Sequence, residues 1–322
     1  MRKDRKAMDN IKRFDIAAQS LSRRLAEYFT ALECSEKERI REIRLRSRQP
    51  VAVITDNGAE FAANTGRLTQ VYSDLVLKTD ENEIADIFKR LCGYSVHSFK
   101  DAINRGYITV EGGHRAGIAG TAVTENGRVT AVRDVCSINL RIAREIKGAA
   151  DEIYKSEYAH GLKSVIIAGP PASGKTTVLR DLARQLSDCS KGECRKTLVC
   201  DERGEIGASF SGIAQNDLGI NCDLLTSYPK SEGIMIALRS FSPDIIICDE
   251  IATTEEVQAV EAGVNSGVCF ALSLHARNER EIKTKPILKR LLMTGEFDRV
   301  ILLSGRHVGK TEKIFTAGDL IA

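Results

Sequence analysis

The sequence reads as an α/β chain in two parts: a smaller α+β domain over residues 1–150, then a domain with a parallel sheet over residues 151–322. Three observations carry this. From Ser164 onward, short and nearly continuous apolar runs alternate with helical patterns, as expected of parallel strands covered on both faces. Between Gly106 and Ala143 the runs are β in character and are separated by the glycine turns "EGG" and "ENG", which predicts antiparallel pairing. The chain has 322 residues, more than one hydrophobic core of ~250–300 residues accommodates.

In the first part, apolar residues recur at helical spacing from Asp9 to Leu32 (Ile11, Phe14, Ile16, Leu21, Leu25, Phe29). "EIRLRSRQPVAVIT" predicts two short strands around Pro50, with a turn at "DNG". "ENEIADIFKRLCGYS" predicts an amphipathic helix stopped by Gly93. The charged, small-residue stretch from Gly148 to Leu162 marks the boundary. In the second part, strands are expected at "SVIIAG", "KTLVCD", "DIIICDE", "VCFALSLH" and "FDRVILLSG". Helices are expected at 175–187, "KSEGIMIALRS", "TTEEVQAVEAGVNSG" and "NEREIKTKPILKRLLM", the last with Pro286 near its first turns.

Composition narrows the function. A 43% hydrophobic and 28% charged chain is that of a globular protein. Aromatic residues make up 5%, Trp is absent and the formal net charge is +3, so neither stacking platforms nor a strong basic field argues for a nucleic-acid partner. The basic start reads as a solvated face, with an anionic membrane surface or another acidic partner as the alternative. No signal peptide or membrane span is visible, so a cytoplasmic place is expected. Cys200, Cys248 and Cys269 lie in apolar runs and read as small buried hydrophobes.

The chemistry starts at "GPPASGKTT". Gly169, Pro170, Pro171, Ala172, Ser173, Gly174, Lys175, Thr176 and Thr177 follow the G-x-x-x-x-G-K-[ST] pattern, with an apolar strand before and a helix after. Such a loop turns backbone N–H groups inward as an anion nest at the positive end of a helix. Lys175 is expected on the β- and γ-phosphates of ATP, and the Thr176 hydroxyl on Mg²⁺. A second metal anchor is expected at Asp249, which ends "PDIIICD" on a strand taken to lie beside that of the loop. Glu250 is the first choice for polarising the attacking water. Asp201 and Glu202 end another strand on the same edge, where parallel sheets bind ligands, and Glu202 is the second choice for the base. His275 ends a third strand and is a candidate γ-phosphate sensor. Arg203 and Arg239 are candidate active-site arginines.

With the loop, "CDERGEIGA", "LRSFSPDIIICDEI" and "LSLHARN" in this order, the chain resembles the RecA-like secretion ATPases of type II and type IV systems. It is more similar still to the stage III sporulation AA family of endospore formers, through "EIRLRSRQP", "GYITVEGGHRAGIAGTAV", "SINLRIARE" and "YPKSEGIMIALRSFSPDIIICDEI". The resemblance implies a homo-oligomeric ring, a hexamer, hydrolysing ATP with Mg²⁺. It also implies a peripheral place on the cytoplasmic face of a membrane sporulation or secretion complex in the mother cell. Arginines from the first part, Arg115, Arg133, Arg141 and Arg144, are then candidates to reach a neighbouring nucleotide. Two departures stand out: Asp249 where secretion ATPases have glycine, and "ATTEE" after Ile251 where glycine and a basic residue are expected. A nucleic-acid-stimulated RecA-like ATPase and a nucleotide-gated scaffold remain as alternatives; the second acidic pair argues against the scaffold.

Overall fold

The computed structural model describes residues 2–189, 194–305, 307 and 309–321. It divides into two compact units, Met1–Arg144 and Glu145–Ala322.

The first unit opens with helices α1 (Arg2–Gln19), α2 (Arg23–Ala31) and α3 (Cys34–Arg39). The continuous helical periodicity over 9–32 is thus interrupted. Ser20 folds its hydroxyl onto the Ala17 carbonyl at 2.7 Å, and the Ser22 side chain accepts the Leu25 N–H, capping α2. Strands β1 (Ile40–Arg46), β2 (Ala52–Thr55), β3 (Gly58–Ala62) and β4 (Leu68–Thr69) follow, then α4 (Glu81–Leu91), α5 (Lys100–Asn104), β5 (Tyr107–Val110), β6 (His114–Glu125) and β7 (Arg128–Arg141). The strands form one antiparallel sheet in the order β4-β3-β2-β1-β7-β6-β5. Its period-two pattern sends Ile43, Leu45, Ile108, Ala116, Ile138 and Leu140 into one core with Phe14, Leu25, Phe29, Ile84 and Ile87 of the helices.

The second unit contains α6 (Asp151–Glu157), β8 (Ser164–Gly169), α7 (Lys175–Leu186), β9 (Thr197–Asp201), β10 (Cys222–Thr226), α8 (Lys230–Ser240) and β11 (Ile245–Cys248). It continues with α9 (Thr254–Asn265), β12 (Cys269–His275), α10 (Glu279–Thr284), α11 (Pro286–Leu292), β13 (Phe297–Leu303), β14 (Thr311–Thr316) and α12 (Ala317–Ile321). The sheet order is β10-β9-β11-β12-β8-β13-β14. All pairs are parallel except β13 with β14. The apolar runs are continuous because alternate residues enter two different cores. Ile166, Leu198, Ile246, Leu272 and Val300 pack on one face with α8, α9 and α11. Val165, Ile167, Val199, Ile247 and Ile301 pack on the other with α6 and α7.

Three features of this unit differ from the sequence reading. The edge strands β10 and β14, together with α6 and α12, were not anticipated, because an edge strand is half exposed and its pattern is short. The long helix through Pro286 is two helices, since the residue before proline avoids the helical region and Lys285 has ψ 117°. The strand ending at Asp249 does not lie beside the nucleotide-loop strand: β12 separates β11 from β8. Of the three cysteines expected inside, Cys200 and Cys248 are buried, while Cys269 is half-buried.

Candidate nucleotide site

Register brings the motifs to one edge. Gly169, the last residue of β8, is paired with His275, the last of β12. Cys248 of β11 is paired with Leu272 of β12 and with Cys200 of β9. Asp201 and Asp249 therefore emerge side by side, with the end of β12 between them and the loop that leaves β8.

That loop has the backbone its sequence demands. Gly174, the N-cap of α7, has φ 92°, a left-handed conformation that glycine adopts without strain. A Cβ on Gly169 would lie 2.4 Å from Ser173 Oγ, so only glycine admits the inward hydroxyl. Lys175 is buried and donates to the carbonyls of Gly169 (3.0 Å) and Pro170 (2.9 Å). Burial pushes its ammonium below the ordinary lysine range, and the charges of Asp249 and Glu250 pull it partly back.

The acids take distinct positions. Asp249 Oδ2 accepts the Thr176 hydroxyl at 2.7 Å, tying the end of β11 to the first turn of α7 across the intervening strand. Glu250 has φ 47° and holds its carboxylate between two cationic or donor groups. Arg203 Nη1 donates to Oε2 at 2.6 Å, and His275 Nε2 meets Oε1. His275 Nδ1 lies 3.2 Å from Lys175 Nζ. An ammonium can only donate, so the ring accepts at Nδ1 and carries its proton on Nε2, toward Glu250. Lys175, His275 and Glu250 thus form one hydrogen-bonded chain. Glu202 stands further off, with its carboxylate 3.8 Å from Lys230 Nζ. Asp201 is buried and accepts three backbone N–H bonds, from Glu205 (2.8 Å), Ile206 (3.1 Å) and Gly207 (2.8 Å). Burial nevertheless raises its pKa. Its place is to shape the loop after β9, whose carbonyls at Glu205 and Ile206 are also held by Arg180 of α7.

Two side chains at this edge escaped the sequence reading. Ser273, fully buried in β12, accepts the Glu250 N–H at 2.9 Å and donates to Asp249 Oδ1. Lys230, buried at the start of α8, donates to the Glu250 carbonyl at 2.5 Å. A serine within an apolar strand and a lysine at a helix start carry no local signal of this kind; only strand order brings them here.

The expected arginines separate. Arg203 is at the site. Arg239 is not: it is exposed in the last turn of α8, nine residues beyond Lys230, roughly 13 Å along the helix at 1.5 Å per residue. Within the first unit, Arg144 is spent on the carbonyls of Glu38 and Ile40 (2.8 Å to the latter). Arg133 is exposed beside Asp134. Arg115 and Arg141 are register partners on β6 and β7, on the sheet face opposite the core; Arg115 stacks 4.4 Å above the Tyr107 ring and Arg141 lies 3.5 Å from Glu42.

The residues fit a nucleotide polyphosphate with Mg²⁺. Ser173 Oγ is buried in the loop without a hydrogen-bond partner. Thr176 and Asp249 supply one hydroxyl and one carboxylate, while no cluster of three or more His, Cys, Asp or Glu gathers among the described residues. Mg²⁺ is commonly held by one or two protein oxygens completed by phosphate oxygens and water.

Comparison with known proteins places this geometry in a lineage. The family described as sporulation stage III, protein AA matches residues 9–318. The chain belongs to that family. Stage III sporulation protein AA of Bacillus subtilis is 36% identical over 266 residues, which is 82% of each chain. Among solved structures, the Legionella pneumophila ATPase DotB aligns with TM-score 0.51 and 18% identity, over 85% of this chain and 74% of that one. The pilus retraction motor PilT with bound ADP aligns with TM-score 0.52 and 18% identity, over 82% and 74%. The chain therefore shares the RecA-like α/β fold of these two proteins. No helix among its described residues is long and apolar enough to cross a membrane.

Proposed function

We propose that the chain hydrolyses ATP and uses the energy, as a homo-oligomeric ring, to drive assembly or transport at the cytoplasmic face of a membrane sporulation complex in the mother cell. The observation that carries the chemistry is the chain Lys175–His275–Glu250, set beside the Thr176–Asp249 pair. It joins a phosphate cradle to a carboxylate in a position to act on water.

The residues divide the work as follows. The loop 169–176 binds the phosphates through its backbone and the α7 N-terminus. Lys175 exchanges its bonds to Gly169 and Pro170 for phosphate oxygens, neutralising charge where it develops. Thr176 and Asp249 would hold Mg²⁺, which would supply further positive charge to the bound polyphosphate. Glu250 orients the attacking water and accepts its proton. His275 and Arg203 hold that carboxylate and stand ready to sense the γ-phosphate. The family name of the relatives supports the sporulation setting, and the resemblance to the ATPase DotB and the pilus retraction motor PilT supports a motor.

The test is Mg²⁺-dependent ATP turnover. Lys175→Ala is expected to abolish it, and sedimentation with a non-hydrolysable ATP analogue is expected to show assembly. An unchanged rate in a folded Lys175→Ala variant would overturn the proposal.

A further inference from the structure

The segment between β11 and α9 has its backbone groups taken up one by one. Ser273 Oγ accepts the Glu250 N–H at 2.9 Å, and the Ser273 carbonyl accepts the Ile251 N–H at 3.1 Å. Glu256 Oε2 accepts the N–H groups of Ala252 (2.6 Å) and Thr253 (3.0 Å) in a capping box that starts α9. The Glu250 carbonyl is taken by Lys230. Glu250 itself sits at φ 47°, a left-handed conformation that an L-residue with a long side chain adopts only when its surroundings impose it.

Lys230 and Ser273 are the groups that hold its carbonyl and its N–H. The Lys230 side chain is 7% exposed, and its ammonium reaches three acceptors from three elements. These are the Glu250 carbonyl after β11 at 2.5 Å, Glu256 Oε1 of α9 at 3.1 Å and Glu202 Oε2 after β9 at 3.8 Å. A buried ammonium needs this degree of compensation. Without Lys230, the Glu250 carbonyl loses its partner while its N–H stays on Ser273, so the left-handed turn is held from one side only and the carboxylate is less firmly aimed at His275 and Arg203. Lys175 on the Gly169 and Pro170 carbonyls and Thr176 on Asp249 are bonds that do not involve the Glu250 carbonyl.

We propose that Lys230 is a positioning residue that latches the Glu250 backbone, so that turnover depends on it while nucleotide binding does not. This rests on the ATPase reading above. Removing Lys230 alone strands the Glu256 carboxylate, so the informative variant is Lys230→Met with Glu256→Gln, compared with Glu256→Gln alone. Relative to that control, kcat is expected to fall about ten- to a hundredfold, the scale of a displaced reacting group. Affinity for ADP with Mg²⁺ is expected to change less than about threefold, because the P-loop contacts remain. In a Glu250→Gln background the same change is expected to cost less than about twofold, because two residues acting as one unit are not additive. A Lys230 variant with control-level kcat, an equal fall in the Glu250→Gln background, or a loss of ADP affinity in step with kcat would each overturn the proposal. Hydrogen exchange across 249–253 gives a reading independent of catalysis. Faster exchange at Glu250 in the Lys230 variant is expected, and unchanged protection overturns the latch. Absence of turnover in the unmodified protein would defeat the ATPase reading, and the exchange result would then decide the latch alone.

Discussion

Glu250→Gln separates the two candidate bases. Glutamine preserves the shape of the side chain and removes its ability to take a proton. Loss of a general base costs on the order of 10²–10⁴ in rate, which is about 2.7–5.4 kcal/mol at ~1.36 kcal/mol per decade. The same change costs the fold far less. The Glu250 side chain is 23% exposed and its partner Arg203 is 64% exposed; exposed pairs of this kind contribute about 0–1 kcal/mol. A glutamine oxygen still accepts from either Arg203 or His275. The variant is therefore expected to melt near the wild-type temperature, to bind ATP and to turn over at least about a hundredfold more slowly. Glu202→Gln removes a carboxylate whose nearest cation is 3.8 Å away, outside the Lys175–His275–Glu250 chain, and is expected to stay within about fivefold of wild type, since it takes no base away. The assay is steady-state ATP turnover and equilibrium nucleotide binding for both variants side by side. If Glu250→Gln turns over near the wild-type rate while Glu202→Gln binds without hydrolysing, Glu202 is the base and the reasoning from the hydrogen-bonded chain fails.

Ser273→Ala deletes the hydroxyl that joins Asp249 to the Glu250 amide and leaves a backbone N–H without its partner. It is expected to cost about 1–3 kcal/mol in urea unfolding and to slow turnover, and unchanged values in both would show the contact to be idle. In the first unit, His114 is fully buried, accepts the Ala143 N–H at Nδ1 (3.0 Å), and has its pKa lowered to about 4 by burial and then by the Arg13 charge. The unfolded chain binds this proton near pH 6.5 and the folded chain only near 4, so stability is lost as pH falls through that window, by up to about 3 kcal/mol. Urea midpoints at pH 7 and 4.5 for wild type and His114→Asn check this, the variant being expected to show a smaller pH-dependent loss; an equal loss in both assigns it to other groups.

The nucleotide loop and most strands and helices of the parallel sheet were legible in the sequence because each rests on local physics, whereas the two compact units divide after Arg144 and not after residue 150. A loop of glycines before a helix makes an anion nest whatever surrounds it, and strands buried on both faces read as continuous apolar runs. The acids at 201, 202, 249 and 250 and His275 could be assigned to one edge because parallel strands all end there. Strand order could not be read, since it depends on pairings between distant segments. It set β12 between β11 and β8, and so made Ser273 the joint between Asp249 and Glu250. Helix length removed Arg239 from the site, and local carbonyls claimed Arg144. The left-handed backbone of Glu250 is the clearest case of a tertiary decision. No preference of glutamate calls for it; a buried lysine from one helix and a serine from a neighbouring strand take up its carbonyl and its N–H, and these meet only once the sheet has formed.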